Sequence, residues 1–288
     1  MTGPVPATRA ARPAWAVLAV LVLAQICYPL AAGQTRAGLT VATVVLGYLL
    51  SVGHALLSRG PRAAAALVAV ATGGGFAIEA LGVATGFPFG SYDYSGQLGP
   101  KLAGVPLVIP LAWTWMAWPA WLAAVRLTGG GPGGSGGAGI GRTTRRIALA
   151  ALGLATWDLF LDPQMVAEGY WSWRDATPAL PGLPGIPVSN YLGWLLFAVL
   201  LMGALRPLAG PAVAATDGRD DPMLALYLWT YASSVLAHAV FLGLPASALW
   251  GAAGMAVTAV PLAVTLLRAG RRPGPADRNP RPRVDAPA

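Results

Sequence analysis

The chain has 288 residues, 56 % of them hydrophobic and only 10 % charged. A soluble domain carries about 25 % charged residues, and a larger core cannot explain the shortfall, because a globule in water must still cover its surface. The composition therefore excludes a water-soluble fold and makes lipid the solvent of most side chains.

In chain order, eight apolar segments of spanning length can be drawn, at 14–32, 38–57, 63–85, 104–127, 146–165, 188–205, 223–242 and 246–267. The first follows Arg9 and Arg12, as a signal peptide would. It runs on into Pro29 and Ala31-Ala32-Gly33 and further spans come after it, so it is read as a retained helix. Residues 129–141 form a Gly-rich flexible linker and 207–222 a polar connection. The expected organisation is one helical membrane domain over 1–268, followed by a disordered, basic, Pro-rich tail at 269–288.

Charge tests the number of spans. With a cytoplasmic N-terminus, the inner segments hold 16 basic residues and the outer ones three, Arg36, Lys101 and Arg174. Adding or removing one span would scramble this bias. The expectation is an all-α polytopic bundle of about eight spans in the cell membrane, with both termini cytoplasmic. The net charge of +8 then reflects membrane orientation and not a nucleic-acid partner.

Two outer loops differ from the inner linkers. Residues 86–110 read GFPFGSYDYSGQLGPKLAGVPLVIP and 166–187 read VAEGYWSWRDATPALPGLPGIP. Both are rich in aromatics, Gly and Pro, and loops of this kind can fold back onto a bundle. Any chemistry is expected on this outer half.

Ionisable groups inside spans are costly and each needs a reason. Glu79 lies in GGGFAIEALG, where glycines allow close approach by a helix or a ligand; its bland reading is a structural pair with Lys101 or an arginine. Asp158 and Asp162, in ATWDLFLDPQM, share one helix face, and Pro163 should bend or end that helix. Two poorly solvated carboxyls one turn apart favour retention of a proton, the condition for a general acid. Their bland reading is a capping and salt-bridge pair. Asp93, between Tyr92 and Tyr94, is a further acid candidate, although a loop Asp is usually a turn residue. Glu168 and Asp175 read as solvated. Asn190 opens the sixth span and either caps it or orients a water. Tyr92, Tyr94, Trp157, Tyr170, Trp171, Trp173 and Tyr191 fall on the outer side. They are either an interfacial belt or, with Lys101 and Asn190, the lining of a site for a long apolar ligand and a transient cation.

His54 and His238 read as packing residues, since no HxxxH, HxxH or ExxH spacing is present and no metal is expected. The single cysteine, Cys27, excludes a disulfide within the chain. No nucleotide-binding or GxSxG motif occurs, no DDxxD-type diphosphate motif is present, and no repeated halves of transporter type are evident.

The runs FPFGSYDYSGQLGPKLAGVPLVIPLAWTWM, WDLFLDPQMVAEGYWSW and GIPVSNYLGW resemble the carotenoid biosynthesis membrane proteins of the CruF type. That family includes carotenoid 1,2-hydratases and bisanhydrobacterioruberin hydratases. The resemblance covers roughly residues 47–267. It implies an acyclic C40 or C50 carotenoid as substrate and addition of water to the terminal C=C, with no cofactor. Other carotenoid-pathway enzymes are possible partners. Protonation of the alkene by Asp158 or Asp162, with Glu79 and Asp93 next, would give a tertiary cation that water captures. The same protonation could instead begin cyclisation, and a carotenoid transporter or binding scaffold is the non-enzymatic alternative.

Overall fold

The computed structural model describes residues 11–129 and 139–270. The Gly-rich linker expected at 129–141 falls largely, and the tail at 269–288 almost wholly, outside the described residues. The helices are α1 (Arg12–Cys27, ending in a 3₁₀ turn, Tyr28–Leu30), α2 (Gly33–Arg59), α3 (Pro61–Thr85), α4 (Ile109–Leu127), α5 (Ile140–Ala155), α6 (Asp158–Ala167), α7 (Val188–Ala209), α8 (Asp221–Leu236) and α9 (Pro245–Gly270). Short π-helical stretches interrupt α3 at Val68–Gly73 and extend α8 at Ala237–Phe241.

The fold is an all-α membrane bundle. Six helices, α1, α2, α3, α7, α8 and α9, are long and apolar enough to cross a bilayer. The remaining segments differ for reasons visible in their residues. Helix α4 carries Trp113, Trp115, Trp118 and Trp121 together with Pro110 and Pro119, which dilute its apolar character. It is nevertheless the axis of the bundle, buried along most of its length and packed against α2, α3, α5, α8 and α9. The segment expected as one span at 146–165 is divided, with α5 ending at Ala155 and α6 starting at Asp158.

Pro163 does not end its helix; α6 continues to Ala167. A proline inside a helix frees the carbonyl four residues back, which in lipid must find another donor. Ser247 of α9 supplies one to Leu159 at 2.7 Å. Pro119 of α4 is handled alike, with Ser51 of α2 donating to the Trp115 carbonyl at 2.8 Å.

The two long loops meet at one end of the bundle. Strand β1 (Tyr92–Tyr94) of the first pairs antiparallel with β4 (Trp171–Trp173) of the second, Tyr92 opposite Trp173 and Tyr94 opposite Trp171. Two smaller ribbons, β2 (Lys101–Leu102) with β3 (Val105–Pro106) and β5 (Ala179–Leu180) with β6 (Leu183–Pro187), complete this layer. The period-2 alternation of a strand turns the four aromatics of YDY and WSW toward the protein and leaves Asp93 and Ser172 exposed. At the opposite end, Arg59 of α2 donates to both oxygens of buried Asp220, at 2.8 and 2.7 Å.

Candidate active site

Helix α3 places Gly75, Glu79 and Gly82 at spacings of four and three, on one face. Gly75 lets the Trp113 ring lie against the helix; a Cβ there would come within 3.0 Å of it. A Cβ at Gly82 would come within 2.8 Å of the Tyr92 hydroxyl and 2.9 Å of the Phe89 ring. The space left by these two glycines is filled by donors to the acid between them. Glu79 is buried and accepts from Tyr92 (2.6 Å) and Tyr94 (2.8 Å) on one oxygen and from Trp113 Nε1 (3.0 Å) on the other. Its partners are therefore two ribbon tyrosines and a tryptophan, not Lys101 or an arginine.

The second acid group is built by α6 and α7. Asp158 and Asp162, one turn apart, are both buried and are held by one shared donor. Asn190 does not cap α7, whose N-cap is Pro187. Its amide nitrogen instead donates to Asp158 Oδ2 at 2.8 Å and to Asp162 Oδ2. Trp171 Nε1 of the ribbon adds a bond to Asp162 Oδ1 at 3.1 Å. Asp158 Oδ1 is buried and receives no N–H or O–H donor among the described residues.

Both groups face one cavity of about 140 Å³. Glu79, Asp162 and Asn190 line it, while Asp158 stands behind Asp162 and does not. Aromatic rings form much of the remaining wall. Trp113 and Trp194 stack with centroids 3.8 Å apart, Trp157 meets Trp194 edge-on at 6.2 Å, and Tyr94 meets Trp171 edge-on at 5.5 Å.

Of the other residues singled out in the sequence, Tyr92, Tyr94, Trp157, Trp171 and Trp173 line this cavity. Asp93 sits on the outer face of the ribbon, gripped by Arg174 through two bonds of 2.8 Å. That hydrogen-bonded guanidinium holds the Asp93 carboxyl below the usual carboxylate range. Lys101 is exposed and donates to the Tyr94 carbonyl. Tyr170 is buried beside Thr40, and the Tyr191 hydroxyl is buried outside the cavity lining. Glu168 is half-buried and ion-paired with Arg36. The two histidines lie apart: His54 is bonded to Trp118 and to the Arg219 carbonyl, and His238 to Ser247 and Gln164.

Sequence reasoning missed Trp113 and Trp194. Their signal was position, since both lie well inside apolar segments and away from the boundaries where belt residues sit.

A curated relative, the bisanhydrobacterioruberin hydratase of Haloarcula japonica, is 37 % identical over 144 residues, which is 49 % of this chain and 44 % of that protein. The match thus spans under half the length of the relative. No solved structure matches the chain. The model of the carotenoid biosynthesis protein family matches residues 15–261, nearly the whole helical bundle, and the chain belongs to that family.

Proposed function

We propose that this protein is a carotenoid hydratase that adds water to the terminal trisubstituted C=C of an acyclic carotenoid end group. One observation carries the reading: Asp162 and Glu79, both buried, face a single cavity walled by aromatic rings. The family and the hydratase relative support the substrate class. Size supports it too, because an apolar cavity of about 150 Å³ holds a benzene ring in another protein. A cavity of about 140 Å³ therefore admits one terminal isoprenoid unit.

Two buried carboxyls that share one donor cannot both stay ionised, so the Asp158–Asp162 pair carries a proton. Asp162 faces the cavity and is the donor; Asp158 is a positioning residue that hands the proton on. Transfer to C2 of the alkene breaks the π bond and leaves a tertiary cation at C1. Ring faces stabilise that cation. Glu79 does so as well, since three donors on its two oxygens suit a carboxylate, which only accepts. Water then bonds to C1 and returns one proton to the aspartate pair. The carboxyls finish as they began, and the net change is one water added.

The chain is further proposed to cross the cell membrane eight times with both termini cytoplasmic. α4 and the α5–α6 pair would join the six long apolar helices; among the described residues, Arg59, Arg126, Arg206 and Arg268 stand in the last turns of α2, α4, α7 and α9, at the end opposite the ribbons.

Expression in a lycopene-producing host tests the activity. The expected pigment is heavier by one water, and the Asp162→Asn variant should lose about 10²–10⁴-fold in rate. A product of unchanged mass bearing a ring would replace hydration by cyclisation. Bound but unaltered pigment would leave only a binding role.

A further inference from the structure

The cavity that holds Asp162 and Glu79 does not end at its aromatic walls. It continues between α1 and the end of α8, where Gln25 and Pro29 line one side and Ser233, Ser234 and Ala237 the other. Spacings of three and four put each set on one face of its helix. These five residues are half-buried, unlike the buried Glu79, Asp162, Trp113 and Trp194, and the side chains beside them are exposed and apolar, unlike Asp93 and Ser172 beside the half-buried Tyr94 and Trp173 of the ribbon, so the space reaches a lipid-type surface here. The surface it reaches is apolar. Leu30 of α1 is 73 % exposed and Val240 of α8 65 %, with Ile26, Leu236 and Phe241 exposed beside them. On spanning helices such side chains meet acyl chains and not water. Inward of this opening, Trp229 Nε1 donates to Gln25 Oε1 at 2.8 Å and ties α8 to α1.

Size makes the opening necessary. A space of about 140 Å³ takes the reacting tip, and the rest of a long polyene must leave through the wall. We infer that the seam between α1 and the C-terminal end of α8 is a lateral mouth open to the bilayer, through which the carotenoid chain behind the reacting end group extends. This rests on the hydratase reading of the acids. Small side chains at Ser233, Ser234 and Ala237 keep the slot wide enough for a flat conjugated chain.

The test uses the full chain in membranes and two substrates: an acyclic carotenoid, and a short isoprenoid alkene of about ten carbons that ends within a benzene-sized space. Ser234→Trp and Ala237→Trp plug the slot, and Val240→Trp places the same bulk on the lipid face as a control. The expected result is a fall of about tenfold or more on the carotenoid for both plugs, with the short alkene hydrated within about twofold of wild type and the control unchanged. Plugs that leave carotenoid hydration intact, or that lose both substrates together, overturn the mouth. Should the plugged variants fail to fold, a photo-crosslinking amino acid at Ser234 replaces them. Carotenoid capture there and none at Leu192, an exposed residue of α7, supports the mouth, and the reverse overturns it. Wild-type protein that hydrates neither substrate sinks the hydratase reading itself, a result separable from every outcome above.

Discussion

Asn190 carries two donors on one amide nitrogen, and each finds a carboxyl. Asn190→Leu keeps a similar volume and removes both bonds, leaving two buried acids without their shared donor. A loss of about 1–3 kcal/mol of stability is expected in thermal unfolding in detergent, with a rate loss as Asp162 leaves its place. Glu79→Gln removes the charge and replaces one of two accepting oxygens by an NH2 that faces a buried donor. Turnover should fall at least about tenfold because the cation is harder to form, and thermal unfolding should show a loss of about 1–3 kcal/mol from the unmatched donor. Asp93→Asn should keep hydration near the wild-type rate, because the carboxyl lies on the solvent side of the ribbon. Its grip on Arg174 has a defined pH sense. A depressed carboxyl contributes fully above the ordinary Asp value and loses that contribution only as pH falls through the lowered one. The tie between the loops should thus outlast mild acid, a point that carboxyl titration by NMR of the two loops would check. At this scale the sequence showed local pairs and little else. Asp158 and Asp162 could be placed together because a helix turn does so. That Glu79 would face the same space depends on how α3 packs against α4 and α7, which no spacing encodes.

Prolines inside α4 and α6 are tolerated because a serine of a neighbouring helix takes over each freed carbonyl. Ser51→Ala and Ser247→Ala should each cost about 1–3 kcal/mol, since the orphaned carbonyl lies where water cannot replace the donor. Thermal unfolding of the two single variants checks this. The elements themselves were largely legible. Six apolar runs became helices of the expected kind because length and hydropathy are read directly from residues. The break at Thr156–Trp157 was not, since nothing in ALGLATWDLF marks an end; Asp158 reads equally well inside a span. The YDY–WSW ribbon was half legible. Alternation was present in each triplet, but their pairing joins residues some 80 positions apart in the chain, for example Asp93 and Ser172.

Across the molecule, one end holds the ribbons, Glu79 and the Asp158–Asp162 pair, and the other holds the Arg59–Asp220 pair with Arg126, Arg206 and Arg268 in the last turns of α4, α7 and α9. Labelling checks this arrangement once Cys27, the chain's single cysteine, is replaced by Ala. Ser172→Cys should react with a membrane-impermeant maleimide added to intact cells, and Ala215→Cys only after the cells are opened; the opposite pattern would invert the topology. The broad architecture was readable because lipid imposes one rule on every segment. The position of the cavity was not, because it arises where α1, α2, α3, α4, α6, α7 and α8 converge. On the hydratase reading, the ribbon carries a consequence for how a carotenoid would be processed. Tyr92, Tyr94, Trp171 and Trp173 roof the chamber on the ribbon side, and a finished tip leaves by the seam through which it entered. It has to withdraw along its own track. A pigment with two reactive ends must therefore let go, turn end for end among the lipids and thread back in. Half-finished pigment, altered at one tip, should build up early in a time course before the doubly altered form overtakes it.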